Sequence, residues 1–105
     1  MTIVDEREKN FERKFVNDEE LEFHARARRN LMLGEWAARL MGLQQVDDYA
    51  AAVGKVDLEQ KGEGDVLRKV SQDLTGAGLP TTLGEIHGRM EEFLAIARDQ
   101  LKVGT

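Results

Sequence analysis

The chain has no cysteine, one proline (Pro80), one serine (Ser71) and few aromatics. Each scarcity removes a class of function. Without cysteine there are no disulfides and no thiol nucleophile, which fits a reducing compartment. A lone serine with no His/Asp arrangement around it gives nothing to activate for nucleophilic catalysis. Alternating β-branched runs are missing, so strands are not expected. No stretch approaches the roughly 20 apolar residues that a membrane-spanning helix requires. The first residues, Met-Thr-Ile-Val-Asp-Glu, carry acids where a signal peptide needs bases and an apolar run. The expected setting is the cytoplasm.

Hydrophobic residues make up 41% of the 105 and charged residues 33%, with a formal net charge of -5. That composition suits one small domain with a real but shallow core. An acidic surface gives no electrostatic reason to bind nucleic acid or anionic lipid.

Helical periodicity fills the chain. A complete helix start stands at residues 16–21: Asn17 suits an N-cap, Glu20 can reach back to it, and Val16 and Leu21 occupy the positions of a hydrophobic staple. The spacing predicts a helix from Asp18 to Met41, with Leu33, Trp36, Ala37, Leu40 and Met41 on its buried stripe and Gly42 as its left-handed stop. A second helix is expected from Asp47 as cap, with Tyr49, Val53 and Val56 inward, followed by a loop over 59–64. A third runs over 65–74, with Val66, Leu67, Val70 and Leu74 on one face, and Gly76 to Pro80 end it. The fourth opens on a capping box of Thr82 and Glu85 and carries Leu83, Ile86, Met90, Phe93, Leu94, Ala97 and Leu101. These elements predict an all-α fold: a small antiparallel four-helix bundle over 17–105, with residues 1–16 as a mobile arm in front.

The arm holds four acids and four bases, and Phe11 and Phe15 share one face of any helix it forms. Either that stripe packs on the bundle as a fifth helical segment, or the two rings are anchors for another protein's groove. Short helices are marginal alone in water, so in the second case the arm is disordered when free and helical when bound.

Motifs for chemistry are missing. No P-loop is present, and Gly62-Glu63-Gly64 has acids around it. His24 and His87 fall on different expected helices with no second metal ligand at the right spacing. His24 is expected on a solvated face and His87 half-buried beside the core. Arg26, Arg28 and Arg29 form the one basic cluster. It is expected to be a solvated face balancing Glu19, Glu20 and Glu22, or else a docking patch for an acidic partner. Tyr49-Ala50-Ala51-Ala52 suits close helix packing better than a nucleotide pocket.

Three blocks carry a resemblance. They are Asp5-Glu6-Arg7-Glu8 through Phe11, Lys14-Phe15 and Asp18-Glu19-Glu20-Leu21; Ala27-Arg28-Arg29-Asn30 with Gly34-Glu35-Trp36-Ala37-Ala38; and Asp65-Val66-Leu67-Arg68-Lys69-Val70 with Asp73-Leu74 and Gly76-Ala77-Gly78. Together they resemble the zeta-subunit family, the ATPase inhibitors of alphaproteobacterial F-type ATP synthases. The resemblance implies a four-helix body and an inhibitory arm that enters a catalytic interface between the alpha and beta subunits near gamma. Arg7, Glu8, Phe11, Glu12, Lys14, Phe15 and Glu19 are then the expected contact residues, with Arg26, Arg28 and Arg29 as further docking residues. It also implies a free monomer that joins the synthase at the periphery of the inner membrane. Weak ATP or ADP binding is implied by the resemblance alone, and no cofactor or metal is expected. The rival readings are a nucleotide-binding helical sensor and a non-inhibitory helical adaptor.

The junction yields one prediction. Asn17→Ala is expected to destabilise the free body helix by about 1 kcal/mol. Inhibition should change less, because a helix running through position 17 needs no cap there. Denaturation midpoints and a hydrolysis assay on the same variant check both halves.

Overall fold

A computed structural model describes residues 18–60 and 62–103; the side chains of 18, 57–60 and 103 are left aside. The arm and the expected cap at Asn17 therefore lie outside the described residues. Four helices follow in order: α1 (Asp18–Met41), α2 (Val46–Gln60), α3 (Glu63–Gly76) and α4 (Leu83–Val103). There is no strand among the described residues.

Three of the expected boundary signals operate as read. Gly42 takes φ 70°, the Gly42 N–H donates to Arg39 O at 3.1 Å, and the Leu43 N–H reaches back to Ala38 O at 3.0 Å. That bond pair satisfies the last carbonyls of α1 in the Schellman manner. Gly78, at φ 80°, repeats it after α3, with Leu79 N–H to Leu74 O at 2.8 Å. At the start of α4 the Thr82 hydroxyl accepts the Glu85 N–H at 3.1 Å, an N-cap bond.

Two boundaries differ from the sequence reading. Asp47 is the second residue of α2 rather than its cap; the helix opens at Val46, and Asp47 and Asp48 sit in its first turn, where negative charge suits the helix dipole. The loop expected over 59–64 shrinks because α2 continues to Gln60 and α3 begins at Glu63. Glu63 is held there by a long-range partner, Arg29, which local propensity does not register.

α1 packs against all three other helices, while α2 and α4 make no close backbone approach to each other among the described residues. The α1/α2 pair is antiparallel: Gly34 meets Ala50, and Leu31 meets Gly54. So is the α1/α4 pair, joined by Glu22 with Arg98 at one end and Trp36 with Arg89 at the other. The core contains Leu33, Ala37, Val53, Val66, Val70, Leu74, Ile86 and Met90, with Trp36, Tyr49, Leu67 and Phe93 partly buried around it. Leu40 and Leu83, expected on buried stripes, are instead 50% and 53% exposed. Each lies at the end of its stripe, Leu40 in the last turn of α1 and Leu83 at the first residue of α4. Phe93 is half-buried rather than enclosed.

Among the described glycines, Gly34 has the tightest surroundings. A Cβ there would stand 2.6 Å from the Ala50 Cα, so α1 and α2 touch backbone to backbone. Gly34→Ala is expected to lower stability by about 1–3 kcal/mol through overpacking, despite the helix-propensity gain. Gly88→Ala is the matched control: nothing lies within 4 Å of the added methyl, and the change should stabilise by about 0.5–1 kcal/mol. Urea denaturation of the two variants measures the contrast.

Candidate functional site

The described residues that follow the arm in sequence form the first half of α1. Glu19 and Glu20 are exposed in its first turn, where acids favour a helix N-terminus. One turn on, Glu22 accepts two bonds from the Arg98 guanidinium of α4, Nε to Oε1 at 2.9 Å and Nη2 to Oε2 at 2.6 Å. The bidentate fork ties α1 to α4. It holds the Glu22 carboxyl below its ordinary value and pushes Arg98 up.

The basic cluster divides. Arg26 stays on the surface, its Nε 3.9 Å from a Glu22 oxygen. Arg28 is exposed and donates to Gln100 Oε1 at 3.3 Å. Arg29 is not on the solvated face expected for it: the residue is 1% exposed. Its Nη1 donates to Glu63 Oε1 at 2.7 Å and its Nε to Asn30 Oδ1 at 3.0 Å. The shift follows from helix phase. Residues 25, 29 and 33 recur every four positions, and Ala25, Arg29 and Leu33 are all buried. Reading Arg29 with its charged neighbours hid its place on that inner row.

Arg29 Nη2 and Asn30 Nδ2 are buried donors with no hydrogen-bond partner among the described residues. Asn30 also lines an apolar groove between α1 and α2. The groove has a volume of about 420 Å³, and Phe23, Ala27, Leu31, Ala51, Gly54 and Lys55 form the rest of its wall. No sequence signal pointed to it, because its walls come from two helices whose spacing is set at Gly34.

The remaining candidates resolve as structure. Ala50 fills the space against Gly34, the close packing expected of the Tyr49–Ala52 run, whereas Ala51 and Ala52 are exposed and Ala51 lines the groove. The Tyr49 hydroxyl donates to Asp73 Oδ2 at 2.7 Å, and burial, with that bond, pushes its pKa up. His24 is exposed and meets Phe23 edge to face at 5.7 Å. His87 is exposed rather than half-buried, 3.7 Å from Glu91. Among the described residues no cluster of three or more His, Asp or Glu side chains forms a metal site. No described helix is long and apolar enough to cross a membrane. Arg7, Glu8, Phe11, Glu12, Lys14 and Phe15 lie outside the described residues.

The Arg29–Glu63 pair is lopsided, with side chains 2% and 53% exposed. Deleting the acid strands a buried charge, whereas deleting the base leaves a carboxylate that can turn to water. Glu63→Gln should therefore cost about 2–3 kcal/mol, below the roughly 3–5 kcal/mol of a fully buried pair. Arg29→Met should cost less. The Arg29 hydrogen bond also holds the Glu63 carboxyl below its ordinary value. A depressed folded pKa means that this stability is full above the unfolded carboxylate value of about 4.3 and is lost as pH falls through the lower folded value. Denaturation of wild type and Glu63→Gln at neutral and at acid pH should converge as the pH drops.

No curated protein matches the chain. A family described as ATPase inhibitor subunit zeta matches residues 1–100, a span that takes in the arm, the α1 face and all but the end of α4. With its four-helix fold and that match, the chain belongs to the ATPase inhibitor subunit zeta family.

Proposed function

We propose that this protein inhibits ATP hydrolysis by the F-type ATP synthase, with residues 1–16 entering a catalytic alpha/beta interface beside gamma as a helix. The observation that carries the reading is the family match beginning at residue 1, so the arm belongs to the family's pattern as much as the body does. In this reading the protein is cytoplasmic and monomeric when free. It performs no chemistry and reaches the periphery of the inner membrane only with the synthase.

The physics of the wedge follows from the arm's attachment. A peptide as short as the arm does not hold a helix in water, because nucleation fixes several residues for one hydrogen bond. α1 begins at Asp18, so a helix spreading backwards from it skips that nucleation step. Binding then orders the arm against α1 as a template. Phe11 and Phe15, four residues apart, fill pockets on the partner, while Arg7, Glu8, Glu12, Lys14 and Glu19 line the flanks. Of these, Glu19 is in the first turn of α1 and exposed.

Replacing Phe11 and Phe15 together with Ala should abolish inhibition of the synthase and leave the body's thermal midpoint nearly unchanged. Each aromatic anchor at an interface centre is worth about 2 kcal/mol or more, roughly thirtyfold in affinity. Deleting residues 1–16 should act in the same way, with the helical circular dichroism of the body retained. Full inhibition by the double variant sinks the wedge reading. Loss of inhibition together with thermal stability makes the arm a fifth packed segment of the bundle.

A further inference from the structure

The groove between α1 and α2 is not used by the core. Phe23 and Leu31 on its α1 wall are 57% and 44% exposed, and Ala27 and Ala51 are open to solvent as well. Gly54 leaves a gap in the α2 wall, with only Leu31 Cδ2 at 3.6 Å from the place where its Cβ would stand. Two observations make this more than scattered surface apolarity. Asn30, 1% exposed, lines the groove with its Oδ1 taken by Arg29 and its Nδ2 without a partner. A buried amide donor in an apolar site suits an incoming acceptor. The second observation is register. Glu19, Phe23, Ala27 and Leu31 step by four along α1, which makes them one ridge of the helix, inclined to its axis by about 26°. In a helix continued back from α1, Phe15 and Phe11 would be the next two positions of the same row.

We propose that the groove is the body's share of the inhibitory interface: the synthase surface that grips the arm continues onto α1 and α2, packing an aliphatic ridge against Phe23, Leu31 and the Gly54 gap and offering an oxygen acceptor to Asn30. This rests on the arm being helical when bound, since only then do Phe11 and Phe15 extend the row that Phe23 begins. The partner is a protein surface of mostly apolar side chains with one carbonyl or hydroxyl oxygen placed over Asn30. The body's share needs no ordering on binding, because α1 and α2 are already formed and packed. It positions the arm at the mouth of the crevice before the arm itself is helical.

The test is a titration of the synthase's ATP hydrolysis with full-length chains. Phe23→Ala should raise the concentration for half-inhibition about tenfold. Ala51→Glu, which puts a carboxylate into the groove from the other helix, should do so as well. Circular dichroism confirms that both variants are folded. Leu83→Ala, an exposed leucine outside the groove, should change nothing. The Phe11/Phe15 double variant runs in parallel. If it loses inhibition while Phe23→Ala and Ala51→Glu keep wild-type potency, the groove proposal is overturned and the arm reading stands. If the double variant inhibits fully, both are overturned. Tighter inhibition by Phe23→Ala would show that the groove holds the chain's own arm. Unchanged potency with a dimer that sedimentation finds only in the wild type would assign the groove to a second copy.

Discussion

The backbone contact at Gly34 fixes the rest of the bundle. With no side chain at that position, α1 and α2 close until Ala50 meets the α1 backbone, and Val53 packs alongside. A side chain of any size would push the pair apart, and dense cores do not tolerate such gaps. Leu33 and Ala37, on either side of the contact, would lose their packing against Val53 in the same core cluster. The α1/α2 spacing also shapes the groove, whose two walls run along the same helix pair from Phe23 to Gly54.

α1 carries unusual weight for a helix in so small a protein. It packs on α2, α3 and α4, and the segment proposed to inhibit precedes it directly in sequence. Two polar ties hold its first half. The Glu22–Arg98 fork reaches α4 and is partly solvated; exposed pairs of this kind contribute at most about 1 kcal/mol. The Arg29–Glu63 pair reaches the start of α3, with its cation enclosed. A buried cation is weak evidence for stability, but its bond to Glu63 ties the start of α3 to α1. Its position also accounts for the early start of α3. The first turn of that helix contains Gly64, a poor helix former, and Glu63 is secured from outside the segment.

The fold was readable where local chemistry decides. Gly42, Gly78 and Thr82 perform the stops and the cap that their residue types announce, and the inward rows of α3 and α4 fall at Val66, Val70, Leu74, Ile86, Met90 and Ala97. It was unreadable where two distant segments decide together. Gly34 looks like a flaw in a helix until Ala50 faces it. Arg29 reads as one more surface base until Glu63 and the Ala25–Leu33 row enclose it. Leu40 and Leu83 continue apolar patterns to the ends of their helices, where both are exposed. The groove depends on all of these at once, so pattern alone could not place it, although Phe23, Ala27 and Leu31 were in plain view.

The division of labour proposed between arm and body has a physical basis. A segment that enters a catalytic alpha/beta crevice, as proposed, is better not a rigid rod beforehand, since a rod admits few approach angles. A wholly unstructured peptide would lose binding energy to ordering, about 1–2 kcal/mol for each backbone residue fixed. Attaching the segment to an already formed helix changes that balance. In the proposed step α1 supplies the helical nucleus, and the three other helices pack against it. On the proposed mechanism the stability of the bundle enters the inhibitory step directly: a change at Gly34 or Glu63 that loosens α1 would weaken the template from which the arm's helix grows, even though neither residue stands among the expected contacts of the arm.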